Sequence, residues 1–242
     1  MNLARYFLFS ASLLLLASSC SRTILEISTL EDDKEYYNGN EVVGKADSSA
    51  LVFVEYVGQN SFEYVFYVQI ENLSDRTYLY TADNNHLKTY HTKKALDNNE
   101  HNNHTSAVDP EKKLEKINSN ITARNTNHAI STGCNCLGGL FSAVSSINSD
   151  EEENDVIDWI ESQEAENIDY ENDMNKLHYE REFWKTEVLR RNTLHPGDVI
   201  GGLVFFNKDF YARYFKVFIN VNSAKFKFLY QQKKVKRIAK AK

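Results

Sequence analysis

Residues 51–70, LVFVEYVGQNSFEYVFYVQI, decide the fold class of this chain. Residues 51–57 are almost all apolar or aromatic, which is typical of a largely buried β-strand. Gly58-Gln59-Asn60 indicates a turn, because these residue types favour turn conformations. Beyond it every second residue is apolar, so one face of a second strand is expected in a core. That face holds Phe62, Tyr64, Phe66, Val68 and Ile70.

Strand patterns also occur on both sides of a polar central region. Residues 77–81 follow the first pair, and residues 199–206, 214–221 and 225–230 come near the C-terminus. Within His195-Pro196-Gly197-Asp198, proline and glycine occupy the central positions of a type II turn. Gly201 and Gly202 predict a bulge or a close backbone contact. We count about seven strands, four before and three after the central region, which predict one antiparallel β-sandwich.

The central region predicts an inserted α-helical hairpin. Asp109 and Pro110 fit a helix N-cap followed by proline at the first helical position. Leu114, Ile117 and Ile121 follow at helical spacing. We expect this first arm to break at its glycines, Gly133, Gly138 and Gly139, and the chain to fold back at Asn148.

The second arm runs to residue 189 without proline or glycine after residue 151. Its apolar residues recur at helical spacing, which predicts one buried stripe. The stripe comprises Ile157, Ile160, Ile168, Met174, Leu177, Trp184 and Val188.

The N-terminus has the order of a secretory signal, with Arg5, an apolar run from Phe7 to Ala17, and small residues before Cys20. The run has about 11 residues, whereas a membrane-spanning helix needs roughly 20. Leu16-Ala17-Ser18-Ser19-Cys20 resembles a lipobox, in which lipoprotein signal peptidase cuts before a cysteine that carries lipid. The resemblance implies lipidation of Cys20. An ordinary cleaved signal with an incidental cysteine is the alternative.

Several acyl chains on such a cysteine give a stable membrane anchor. Ser21, not aspartate, follows Cys20, which resembles the sorting pattern for the outer membrane. Ser21-Arg22-Thr23 also lacks the acidic residues that direct some lipoproteins to the outer face. We therefore expect a lipid-anchored protein of the cell envelope, in the outer membrane and facing the periplasm.

The chain thus divides into six segments. These are a signal peptide at 1–19, a first part of the sandwich at 20–82, a polar loop at 83–108, the inserted helical hairpin at 109–190, a second part of the sandwich at 191–232 and a basic tail at 233–242.

Charge is unevenly distributed within a net charge of −6. Residues 150–182 hold 14 acidic residues against Lys176 and Arg181, whereas the basic tail holds six basic residues and no acidic one. This asymmetry predicts separate electrostatic surfaces. A secreted chain rarely meets nucleic acid, so the tail is expected to be solvated or to contact anionic lipid.

Residues 182–198, EFWKTEVLRRNTLHPGD, and the strand Gly202-Leu203-Val204-Phe205-Phe206 carry a further likeness. They resemble uncharacterised bacterial envelope lipoproteins that share a Phe-Trp, Leu-Arg-x-x-Thr-Leu-x-Pro-Gly, Gly-Leu-Val-Phe-Phe pattern. Residues 67–74 are similar to the same group. The resemblance implies a mainly β, immunoglobulin-like sandwich, here with the helical hairpin inserted. It implies no activity.

Cys134 and Cys136 are the strongest candidates for a metal-binding site, because thiolates bind copper(I) and zinc. Zinc needs two further ligands, and only His128 lies near in sequence. Alternatively, the cysteines pack as small apolar residues in a glycine-rich helix contact. His101 and His104 are also candidate metal ligands if they share a helix face, but they are otherwise solvated loop residues. We assign no cofactor.

The second arm is acidic but carries Trp159, Tyr170 and Tyr179, and aromatic residues are favoured at interfaces. They are candidate partner-binding residues, and packing onto the first arm or the sandwich is the alternative. No nucleophile elbow, phosphate-binding loop or dinucleotide fingerprint occurs, so no catalytic residue is assigned. A hydrolase assembled from scattered residues stays open, because triads need no sequence proximity.

The sequence therefore predicts a non-catalytic, membrane-anchored envelope lipoprotein that binds a protein or cell-wall partner and no nucleic acid. The alternative function is a metal-handling lipoprotein that uses Cys134, Cys136 and nearby histidines.

Overall fold

The computed structural model describes residues 22–145 and 153–237, and side chains within 25–132 and 164–235. In chain order its elements are β1 (Arg22–Thr29), β2 (Lys34–Tyr37), β3 (Asn40–Ala46), β4 (Ala50–Gln59), β5 (Glu63–Asn72), β6 (Tyr78–Tyr80), a 3₁₀ turn (Ala82–Asn84), β7 (His86–Tyr90), α1 (Lys93–Asp97), β8 (Asn103–Ser106), α2 (Pro110–Ser145), α3 (Glu153–Thr186), β9 (Asn192–Leu194), β10 (Val199–Asn207), β11 (Tyr214–Val221) and β12 (Ala224–Arg237).

Two five-stranded antiparallel sheets form the body of the protein. Sheet A has the order β1-β12-β11-β7-β8, and sheet B has the order β10-β5-β4-β3-β2. Strands β6 and β9 form a separate short ladder. Each of these three sheets joins strands from before and after the helical insertion. The two halves of the sequence therefore build one fold, as expected.

The inner faces of the two sheets share one core. Phe66 of β5 lies edge-on to Phe215 of β11 and Tyr230 of β12, with ring centroids 6.3 and 5.2 Å away. Tyr64 stacks on Phe215 at 5.2 Å. All four side chains are buried, and the surrounding core consists of Val, Ile and Leu from both sheets. The predicted sandwich with an inserted helical hairpin is confirmed, with the layered architecture of immunoglobulin-like domains.

Helices α2 and α3 pack their lower turns against the outer face of sheet B. Asp109 caps α2, since its Oδ1 accepts the backbone N–H of Glu111 at 3.0 Å. The ring of Trp184 lies 5.0 Å from that of Phe205 of β10. A second apolar cluster forms there from Leu114, Ile117, Ile121, Met174, Trp184, Val188 and Phe205.

Two expectations about the hairpin are wrong. Helix α2 runs without a break from Pro110 to Ser145, because glycine costs a helix only about 1 kcal/mol and ends it only when a competing cap is present. Ile168 is exposed, because it lies two residues from Tyr170, about 200° around the helix axis, and so points away from the first arm. The predicted fold-back at Asn148 and the side chains of Ile157 and Ile160 lie outside the described residues.

The segment 83–108 is not a polar loop. It contains the 3₁₀ turn, β7, α1 and β8, and β7 pairs with both β11 and β8. Leu87 and Thr89 of β7 are buried, whereas His86 and Lys88 face outward, and these polar residues concealed a strand. The expected seven strands are too few for the same reason, since several strands are short or polar.

Smaller boundaries also differ. Strand β12 continues to Arg237 in pairing with β1, so residues 233–237 belong to sheet A and not to a tail. Gly58 and Gln59 lie inside β4 beside a bulge, and the turn begins at Asn60. The type II turn is confirmed: Gly197 has φ +81°, and the Asp198 N–H donates to the carbonyl of His195 at 3.0 Å. Within the two described ranges, no helix has the length and apolarity of a membrane span.

Candidate functional site

A groove of about 670 Å³ crosses the outer face of sheet B beside the base of the helical hairpin. Binding pockets commonly measure roughly 300–1,000 Å³ and combine aromatic walls with a few polar groups. This one, called the aromatic groove below, is lined by Glu35, Tyr36, Tyr37, Val42, Phe53, Glu55, Val57, Tyr67, Gln69 and Leu203. Leu203 also packs against the second apolar cluster, so the groove adjoins the hairpin.

A tight turn presents the two outermost tyrosines. Asn38 and Gly39 have φ of +49° and +88°, as the two central residues of a type I′ hairpin turn require. The turn joins β2 to β3 and leaves Tyr36 and Tyr37 about two-thirds exposed, at 68% and 67%. Asn-Gly between two strand-like runs is a strong hairpin signal, and it could have revealed these residues from the sequence.

Two glycines let the inner rings lie flat on the sheet. A Cβ added to Gly44 of β3 would lie 2.7 Å from Cε1 of Phe53 on β4. A Cβ added to Gly201 of β10 would lie 2.5 Å from the hydroxyl oxygen of Tyr67 on β5. Each ring therefore lies over a glycine of another strand, where no side chain blocks it. Phe53 and Tyr67 form an aromatic floor for the groove.

Polar groups stand around this floor. Asn40 donates its amide N–H to Glu55 Oε1 at 2.6 Å, which holds that carboxylate beside the rings. Tyr36 points to the other face of β2, where its hydroxyl donates to Glu41 Oε1 at 3.3 Å. Glu35 and Gln69 add further acceptors to the lining. Such a surface suits a ligand with apolar faces and hydroxyl or amide edges.

The predicted histidine pair is close in space but not on a helix. His101 precedes β8, His104 lies within it, and their ring centroids are 6.1 Å apart. His86 of β7 is closer to His104, at 4.9 Å. Partial burial lowers the pKa of His86 and of His104, and neighbouring positive groups lower both further. Among the described side chains, those of residues 25–132 and 164–235, no group of three His, Cys, Asp or Glu residues could hold a metal ion.

Cys134 and Cys136 lie in α2, but their side chains are outside the described residues. The ring of His128, the expected neighbour, stacks instead on Tyr170 of α3 at a centroid distance of 3.7 Å. Tyr170 also donates its hydroxyl to Asn125 Oδ1 at 2.7 Å. These contacts join the two arms of the hairpin.

Of the three candidate aromatics of the second arm, the two that the structure describes, Tyr170 and Tyr179, do not converge. Tyr170 packs onto the first arm, which matches the alternative stated for it. Tyr179 is 77% exposed on the same helix nine residues later, a half-turn away around the axis. The side chain of Trp159 and the candidate lipid site Cys20 lie outside the described residues.

Comparison with protein-family models, with curated proteins and with solved structures finds no match to this chain. The likeness of residues 182–206 to envelope lipoproteins therefore stays a prediction. The features that bear on function are therefore the geometry of the aromatic groove and the N-terminal signal.

Proposed function

We propose that this protein is a non-catalytic envelope lipoprotein, anchored through acyl chains on Cys20, that binds a cell-wall glycan in the aromatic groove. The groove is the observation that carries the binding role. Soluble monomers rarely expose contiguous apolar patches without a function. Here three aromatic rings, from Tyr37, Phe53 and Tyr67, share one concave surface.

A glycan fits this surface better than a compact small molecule does. A sugar ring has apolar C–H faces and a rim of hydroxyl groups, so aromatic rings contact the faces and carboxylates or amides accept from the rim. Glu35, Glu55 and Gln69 supply those acceptors. The groove is open, which allows a polymer to lie along it. A protein partner would use the same rings, and the groove experiment below separates the two.

The anchor is tested by Cys20→Ala. We expect this variant to stay unprocessed or to leave the membrane fraction, because stable attachment needs the acyl chains that only this cysteine would carry. Membrane fractionation and intact mass measure the change. Cys134→Ala is the control, and it should be processed and retained like the unsubstituted chain. Unchanged mass and fractionation in Cys20→Ala would show that Cys20 is not lipidated.

The groove is tested by the double variant Tyr37→Ala and Tyr67→Ala, measured by co-sedimentation with purified cell-wall glycan. Each lost ring should weaken binding by about fivefold, since an aromatic contact contributes roughly 1 kcal/mol. The matched control is Tyr179→Ala with Tyr211→Ala, two tyrosines exposed to 77% and 80% outside the groove. Glycan binding equal in both double variants would refute the groove as the site. A protein partner would be favoured by a different pair of results. In that case neither the unsubstituted chain nor any variant binds glycan, and the groove variant alone loses a crosslinked envelope protein.

A further inference from the structure

Like charges stand opposite one another on two neighbouring strands of sheet A. Lys216 of β11 is in register with Lys88 of β7. On its other side Lys88 is in register with His104 of β8, which supplies no negative charge. Directly opposed like charges destabilise an antiparallel ladder. These residues face outward, away from the core, so burial does not require them. A sheet selected only for folding would not need this arrangement.

Strand β12 extends the same positive surface. Lys225, Lys227 and Lys233 are exposed and occupy alternate positions to the buried Phe226 and Phe228. With Lys88 and Lys216 they form what we call the basic face: Lys88, Lys216, Lys225, Lys227 and Lys233.

None of these five lysines forms an ion pair within the described part of the chain. The acidic neighbours are few. Glu26 of β1 is in register with Lys233, and Asp97 of α1 pairs with Lys93 at 2.8 Å. The pKa of Lys216 is lowered by burial and then by the charges of Lys227 and Lys88. The basic face thus carries uncompensated positive charge.

An aromatic ring lies at the centre of this charge. Phe218 of β11 is half-buried, and the Nζ atoms of Lys88 and Lys225 lie 5.8 and 5.7 Å from its centroid. His86 stacks on it at 4.5 Å. Aromatic rings among cationic side chains are common where a protein meets the headgroup region of a bilayer.

Along the chain, the candidate lipid site is two residues from the first strand of this sheet. Strand β1 begins at Arg22, two positions after Cys20, and forms an edge of sheet A. Two extended residues span about 7 Å, so acyl chains on Cys20 would hold that edge at the membrane. Arg22 is in register with Arg237, and Thr23 with Lys236, which places three more basic residues at this end of the ladder.

The opposite side of the sandwich has the opposite character. The aromatic groove and the base of the hairpin occupy the outer face of sheet B, on the far side of the core from the basic face. Helix α3 is rich in Asp and Glu. An anionic surface would attract sheet A and repel the acidic arm, so both effects favour one orientation.

We propose that the basic face docks on the headgroups of an anionic phospholipid bilayer and directs the aromatic groove away from the membrane. The choice of a bilayer over a soluble polyanion rests on the proposed anchor at Cys20. The positive surface itself does not depend on that anchor.

The test uses the full-length chain carrying Cys20→Ser, which cannot be acylated. Its partition coefficient is measured by sedimentation with vesicles of phosphatidylcholine alone and of phosphatidylcholine with phosphatidylglycerol. The ratio of the two coefficients isolates the effect of anionic lipid. Adding Lys225→Gln and Lys227→Gln should lower the ratio by about 25-fold, since each lysine near such a surface contributes about fivefold. Raised salt should lower it as well.

The matched control adds Lys116→Gln and Lys176→Gln, which remove the same charge from exposed positions on α2 and α3. The control should keep the ratio of the Cys20→Ser chain. An equal fall in both variants, or a ratio near one for the Cys20→Ser chain, overturns the proposal. Retention on a soluble sulfated polysaccharide without vesicle binding overturns it in favour of a polyanion.

Lipidation is read separately from the intact mass of the unsubstituted chain isolated from membranes. If the unsubstituted chain has no acyl mass, the anchor is refuted. If the Cys20→Ser variant then still prefers anionic vesicles, the proposal for the basic face stands without the anchor.

Discussion

Replacing Phe66 by alanine is expected to lower the free energy of unfolding by about 3–5 kcal/mol. Phe66 is fully buried, and its ring contacts aromatic rings from four other strands. The ring centroids of Tyr56, Phe206, Phe215 and Tyr230 lie 5.5, 5.9, 6.3 and 5.2 Å from its own. Alanine would remove the ring and leave a cavity between the two sheets, which rigid strands cannot close.

Urea denaturation measures this loss as a fall in the midpoint at constant slope. Phe62→Ala is the matched control, because Phe62 is the same residue type four positions earlier and is 75% exposed. Its effect should stay within about 0.5 kcal/mol. Equal destabilisation by the two substitutions would contradict the placement of Phe66 in the shared core.

The contrast between these two phenylalanines shows what alternation alone can predict. The period of two in residues 62–70 places Tyr64, Phe66, Val68 and Ile70 in the core, and all four are buried there. It fails at Phe62, because Asn60 Oδ1 accepts the N–H groups of Phe62 and Glu63 at 2.8 and 2.7 Å. Because of this side-chain turn, β5 begins at Glu63, one residue later than hydropathy suggests.

Strand β7 was missed for a different reason. Its residues HLKTY carry polar side chains on the outer face of sheet A, so half of the pattern looks like a loop. The strand is recognisable only with its neighbours, since Leu87 completes the core beside Val217 of β11. One of those polar residues, Lys88, is also part of the basic face.

The aromatic groove could not be predicted from local sequence. Its lining comes from five strands, and only their register brings Phe53 opposite Gly44 and Tyr67 near Gly201. The alternation of apolar and polar residues along a strand identifies which side chains point away from the core, but it does not identify which of them are neighbours across a sheet. The Asn38-Gly39 turn was the one local signal for this site, and it predicts the β2–β3 hairpin without predicting its aromatic floor.

Sequence did anticipate a close contact at Gly202, and the structure identifies it. The chain leaving α3 pairs with β10 there in a short parallel bridge: the Leu189 N–H donates to the carbonyl of Leu203 at 2.9 Å, and the Leu203 N–H donates to that of Glu187 at 2.8 Å. A Cβ on Gly202 would lie 2.7 Å from the backbone nitrogen of Leu189. Backbone atoms held by two hydrogen bonds cannot move aside as a flexible side chain would.

Gly202→Ala is therefore expected to destabilise the protein by about 2–3 kcal/mol, because the new methyl group must displace the backbone of residues 187–189. The loss should appear in urea denaturation, and amide exchange should accelerate at Leu189 and Leu203 as the two hydrogen bonds weaken. Gly58→Ala is the control, since a Cβ at Gly58 meets nothing within 4 Å and its backbone is not in the left-handed region. That variant should be neutral or slightly stabilising, through the smaller conformational entropy of the unfolded chain. A Gly202→Ala protein as stable as Gly58→Ala would mean that the hairpin does not enter the sandwich through this contact.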